Sequence, residues 1–213
     1  MNFPKSNAQQ LAHSHLDIVP LQVDLEEHTL LLVAQAALEL QTNLLKSSIS
    51  HAQTVTGSLV LKATLKHTLQ SLIKYTEAEE GSIFLIDEDR VIMESILARG
   101  PVTRDIKDLL ISQVLDDGLA GWTLRHRQIG LVTDTVLDNR WVQLPNQPYV
   151  TRSALAVPLI YGIDPIGIIT LTHAQPHHFD EAIAVMLQCS MESITAIIVN
   201  ARLHAEYNPL GAK

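Results

Sequence analysis

The side chains with the most chemical reach in this sequence are one thiol, a knot of imidazoles and a few carboxylates. Cys189 is the only cysteine of the 213 residues. It falls among Met186, Leu187 and Met191 in a stretch of helical apolar spacing, where a cysteine is expected to be a small buried hydrophobe rather than a reactive thiolate. A nucleophile needs a base within hydrogen-bond reach and a group that stabilises developing charge, and nothing here forms such a set, so catalysis is not expected. His173, His177 and His178 come close enough together to suggest a metal. A structural site wants four ligands, usually with cysteine or carboxylate among them. Asp180 and Glu181 are near, but they open a helix, where acids belong in any case. The expectation is no metal, with His177-His178 serving as loop and cap.

The elements that would position these groups follow from apolar periodicity. Ala154–Ile160 and Pro165–Leu171 are two short runs separated by Tyr161-Gly162-Ile163-Asp164. They predict a hairpin buried on at least one face. Pro158 cannot donate to a ladder, so it should face an edge or a bulge. Residues 1–22 read as a mobile tail. Asp24 caps a long helix over Leu25–His51, and Gly57 interrupts the helical pattern before a second helix, Leu59–Tyr75. Gly81–Ile86 and Val91–Ala98 form a second hairpin around Asp87–Arg90. Short helices over Arg104–Leu110 and Leu119–Arg125, a strand at Ile129–Thr133 and a long loop over Asp134–Arg152 fill the middle. A helix over Asp180–Tyr207 closes the fold, and Asn208-Pro209-Leu210-Gly211 suits a chain end. Helices, hairpin, mixed middle, hairpin and helix predict an α+β architecture with an antiparallel sheet.

Composition narrows the function. Fifteen Lys and Arg against 23 Asp and Glu give a net charge of −8, which argues against a nucleic-acid surface. One cysteine suits a reducing compartment, no secretory leader is expected to open the chain, and no apolar run is read as approaching the ~20 residues of a membrane span. A cytoplasmic protein without a membrane span is the expectation.

Three stretches together resemble a GAF domain, the small-molecule sensory module of many signalling proteins. They are Ala78–Asp87 and Gly118–Trp122 continuing through Arg125–Gln128, Asp134 and Asp138–Trp141. The third is Ser153–Ile160 with Ile166–Leu171 and Phe179. The resemblance covers roughly residues 58–206. It implies a six-stranded antiparallel sheet with helices packed on one face and a ligand pocket on the other, preceded here by an N-terminal helical extension over 23–57. The domain is assigned to 58–207 and a tail to 208–213. It does not by itself imply a ligand, so the cofactor is unknown.

The family's specialised chemistries leave little trace. The branch that reduces free methionine sulfoxide needs pocket cysteines, and bilin-binding members attach their chromophore through a cysteine. None lies between Gly118 and Ser153. The cyclic-nucleotide pattern resembles this chain only in Asp180-Glu181; Pro176 stands where the pattern has Phe, and no Asn-Lys pair occurs between Ile163 and His178. A pocket, if formed, would be lined by Phe84, Trp122, Asp134, Trp141, Ser153, Leu155 and Val157, with Asp134 and Ser153 as its polar groups. Leu30, Val33, Ala37, Leu40 and Leu44, alternating three and four apart, form a coiled-coil-like seam, and a second row, Leu31, Ala34, Leu38 and Leu45, widens the apolar face of the same helix. With Ile194 and Ile197 of the last helix they are expected to pair two copies as a homodimer. The reading is a non-catalytic regulatory module that acts on a signalling protein, its alternative an adaptor that uses the fold only as an interaction surface.

Overall fold

The computed structural model describes residues 25–54, 58–87, 92–97, 114–143 and 150–207. The expected tails, the Asp24 cap, the Asp87–Arg90 turn beyond Asp87 and the Arg104–Leu110 helix lie outside them. Two helices come first, α1 (Glu27–Thr54) and α2 (Ser58–Thr76), then strands β1 (Glu80–Ile86) and β2 (Ile92–Leu97). Helix α3 (Leu119–His126) leads into β3 (Gly130–Val132). The long hairpin of β4 (Ser153–Tyr161) and β5 (Asp164–His173) then precedes helix α4 (Glu181–Tyr207).

The strands form one antiparallel sheet in the order β2-β1-β5-β4-β3. The architecture is α+β as expected, but the described residues supply five strands rather than six. Both expected hairpins are present, and β1 joins them by pairing with β5, Ile83 opposite Ile169. The β4–β5 turn has Gly162 at φ 64° and opens from the Tyr161–Asp164 pair. Positive φ at the first of two central residues is the mark of a type II′ turn and favours glycine there. β3 pairs only with Ala154–Ala156. Beyond them β4 has an open edge, and Pro158 sits where its missing N–H leaves no ladder bond unmade.

Side chains alternate across a strand, and that alternation sorts the apolar residues into two cores. Ile83, Leu85, Leu155, Val157, Leu159, Ile169 and Leu171 meet α2 and α4, on which α1 packs in turn. Ile86, Ala154, Ala156 and Ile168 meet Leu119, Ala120 and Leu124 of α3. Helices therefore do not keep to one face: α2 and α4, with α1 packed outside them, cover one side and the short α3 the other.

The long helices form a bundle within the subunit. Asn43 of α1 donates to the Tyr75 hydroxyl, and the His51 and His67 rings meet edge-on at 5.7 Å, so α1 and α2 run antiparallel. Gln41 Nε2 donates to the Cys189 carbonyl of α4 at 2.9 Å. This overturns the expected use of the α1 seam. Val33, Ala37, Leu40 and Leu44 are buried against α2 and α4, and Ile194 and Ile197 lie buried in the same core; of the seam only Leu30 is exposed. Burying a leucine fully is worth roughly 1.5–3 kcal/mol, and the subunit's own core takes that contribution. Helix α4 is also long and apolar enough to cross a bilayer, with a mean hydropathy of 1.8 over its richest window. Half of that window is buried here, against α1, α2 and β4.

Candidate functional site

The face of the sheet under α3 is the candidate site, because small side chains and short connections bring a helix and a polar loop onto it. Ala154 and Ala156 leave room above β4, and Leu119, Ala120 and Leu124 fill it. A Cβ at Gly130 would stand 2.5 Å from the Thr123 hydroxyl and 2.7 Å from Leu119. Glycine there lets β3 run directly beneath α3. Phe84 and Trp141 pack against the same cluster, half-buried.

The loop after β3 is fixed by two arginine–carboxylate forks. Arg152 reaches both Asp134 oxygens, at 2.8 and 3.1 Å, and the Val136 N–H donates to Asp134 Oδ1 at 3.1 Å. The Arg152 hydrogen bonds, helped by that N–H, hold the Asp134 carboxyl below the ordinary carboxylate range. Asp134 in turn raises the Arg152 guanidinium. Arg140 grips Asp138 at 2.6 and 2.9 Å and lowers its carboxyl in the same way. It also donates to the Leu131 carbonyl at 2.9 Å and lies 4.6 Å over the Trp122 ring. His126 stacks on Trp122 at 4.5 Å. A cation over an indole face is favourable by about 0.5–1 kcal/mol at exposed sites.

The seven residues expected to line one pocket do not share one face. Phe84 and Trp141 each pack against the cluster on the α3 side, and Trp122 of α3 lies under Arg140. Leu155 and Val157 are a correction: they point the other way, into the core beneath the long helices, because the odd positions of β4 face the bundle. Asp134 and Ser153 are both occupied by internal partners. The Ser153 hydroxyl is buried and donates to the Gln175 carbonyl at 2.8 Å, tying β4 to the turn before α4. Arg140 and Arg152 were missed as partners. Their carboxylates lie two and 18 residues away in sequence, and no periodicity links them.

The histidine knot is built face to face rather than around a point. His173 and His178 stack at 3.6 Å with rings 7° apart. His178 Nε2 donates to the Thr76 carbonyl at 2.8 Å. His173 Nδ1 accepts from the Gln175 N–H at 3.0 Å while its Nε2 stands 3.4 Å from Glu79. Parallel rings offer no common point to an ion. Among the described residues no three His, Cys, Asp or Glu side chains are placed to hold a metal. The one thiol, Cys189, was expected to be buried but is exposed on α4, in the helical layer behind the sheet.

The family model for the GAF domain matches residues 58–199, well over half of the chain. The chain belongs to the GAF family. Several solved structures share the GAF fold at low identity. The GAF domain of a phosphoenolpyruvate-protein phosphotransferase from Coxiella burnetii is 17% identical, with a TM-score of 0.58 over 80% of this chain and 96% of that one. Its counterpart from Acinetobacter is 19% identical, with a TM-score of 0.53 over 76% and 95%. The free methionine-R-sulfoxide reductase from Neisseria meningitidis, solved with its substrate, is 15% identical, with a TM-score of 0.57 over 86% and 98%. At these identities the GAF likeness is one of fold. No curated protein matches the chain.

Proposed function

We propose that this chain is a non-catalytic GAF regulatory module. It takes a small molecule at the α3 face of its sheet, works as a pair of copies in the cytoplasm, and passes the effect to a signalling protein through its long helices. The observation that carries this reading is the division of the sheet. Phe84, Trp141 and the Arg140–Trp122 stack lie over one face, the helical bundle lies under the other, and β4 and β5 contribute to both cores. A ligand that prefers one arrangement of α3 and its loop biases the strands beneath them, and hence the helices; a ligand with equal affinity for both arrangements shifts nothing. The non-catalytic part rests on the placement of Cys189 in the bundle layer, away from Trp122 and Trp141. The reductase of the same fold is a reminder that catalysis does occur on this scaffold.

Hydrogen exchange on the whole chain, with and without fractionated small-molecule extract, tests the reading. Slowed exchange over 119–143, together with a bound mass in native mass spectrometry, is the expected result. A specific observation favours the adaptor reading instead. Asp134 and Ser153 already spend their polar atoms on Arg152 and Gln175, and the α3 face is packed with its own side chains. Unchanged exchange with every fraction, alongside retained binding of a protein partner, would replace the ligand-binding reading with that one.

A further inference from the structure

Between Glu39 and Glu77 the chain has no aspartate and no glutamate. Those 37 residues hold the second half of α1 and all of α2, and with them four of the seven lysines, Lys46, Lys62, Lys66 and Lys74. The other 11 basic side chains stand against all 23 acids, so a chain of net charge −8 divides into a segment of +4 and a remainder of −12. Helix stability does not account for this division. A helix gains from an acid in its first turn and from Glu placed four residues before Lys. Helix α2 has no acid in its first turn and none further on. Lys74 suits the negative end of the helix dipole, but Lys62 stands beside the positive end, and Lys62 and Lys66 repel one another one turn apart.

Lys62, Lys66, Gln70 and Lys74 follow one another four residues apart, so they form an oblique row ~18 Å long on the side of α2 away from Leu65, Leu69 and Leu72. The leucines are buried and the row is exposed. Lys46 of α1 adds to it: Asn43 meets Tyr75 across the seam, and Lys46 and Lys74 flank that contact. Glu94 of β2 lies 3.9 Å from Lys62, whose side chain stays 55% exposed. Leu59, one turn ahead of the row, is 58% exposed. We infer that this face of α2, with Lys46, is where an acidic segment of a partner protein docks, its carboxylates against the ammonium groups and an apolar side chain on Leu59. The inference rests on the reading that the long helices meet a signalling protein, and names the surface and the chemistry of that meeting. Charge complementarity selects this partner over other anions. The segment has no arginine, the side chain whose planar fork matches phosphate bidentately; lysine offers a point charge. A lipid surface or a long polyanion would also face the −12 of the remainder, whereas a short acidic segment is confined to the row.

The test titrates the full chain into a labelled helical peptide with glutamates four residues apart and one leucine, read by fluorescence anisotropy. Phosphatidylserine vesicles and a single-stranded oligodeoxynucleotide are titrated alongside, and acetylation of lysine amines, read by mass spectrometry, locates the complex. The expected result is peptide binding that weakens as salt is raised and falls about 10-fold in the Lys66→Gln, Lys74→Gln double variant, the size of two exposed ion pairs. The variant keeps native circular dichroism, and the peptide protects Lys62, Lys66 and Lys74 from acetylation but not Lys5 or Lys213. Absent peptide binding, undiminished binding in the double variant, or protection away from the row overturns this surface and leaves the regulatory reading standing. Tighter binding of the vesicles or the oligonucleotide than of the peptide overturns the acidic-protein partner. Peptide binding on the row, with exchange over 119–143 unchanged by every small-molecule fraction, upholds this surface and fails the ligand reading alone.

Discussion

Single residues around α3 are committed to holding their loop, and that commitment has a sign in pH. The Asp134 carboxyl is depressed by Arg152 and by the Val136 N–H. A depressed carboxyl contributes stability above its unfolded pKa and loses it as pH falls through the folded one. Thermal melts of the native chain are expected to drop as pH is lowered through and below the ordinary carboxylate range. Asp134→Asn should melt lower at neutral pH and fall less steeply, since it has no proton to gain there; parallel curves would show that the fork contributes nothing. Leu155 makes a different prediction. It is fully buried under the bundle, so Leu155→Ala should cost about 2–5 kcal/mol in urea unfolding while leaving any small-molecule affinity of the folded fraction unchanged. What the sequence conveyed at this scale was residue type: Asp134 and Ser153 stood out as polar groups beside apolar stretches. Their partners, Arg152 and the Gln175 carbonyl, were not legible, because a fork or a hydroxyl bond closes through space and leaves no spacing rule behind.

At the scale of elements, α1 shows how one helix can have two apolar sides with different fates. Leu40→Ala, at 0% exposure, should lose about 2–5 kcal/mol. Leu38→Ala, measured at dilution where copies are apart, should stay within about 0.5 kcal/mol of the native chain. Equal losses would mean that α1 is sheathed on both sides in the subunit. Backbone crowding sets a second limit. A Cβ on Gly121 would meet the Leu115 carbonyl oxygen at 1.8 Å, so Gly121→Ala must displace the turn that enters α3. Its expected signature is a lowered melting temperature together with faster exchange over 119–126. Periodicity identified α1, α2, α4, α3 and both hairpins to within a few residues, because burial on one side imposes 3.6 or 2 on the sequence. It also marked two stripes on α1, Leu30–Leu44 and Leu31–Leu45. It could not say which of them meets its own chain, since both have the same apolar spacing.

For the molecule as a whole, the family match begins at Ser58, yet the core does not. Val33, Ala37, Leu40 and Leu44 share one cluster with Leu65, Leu69, Leu155 and Ile194. A chain starting at Ser58 is therefore expected to lose cooperative melting and to bind a dye for exposed apolar surface, and a native-like melt would show α1 to be an accessory. The amino-acid sequence by itself determined the α+β class, the order of helices and hairpins and the aliphatic core, because local propensity and side-chain alternation act between near neighbours, and the resemblance of three of its stretches pointed to the GAF family. The tertiary structure decided which side of β4 meets the bundle, which arginine closes on which carboxylate, and which stripe of α1 is left outside. Those outcomes depend on distances between segments far apart in the chain, and such distances exist only once the sheet has paired and the helices have packed on it.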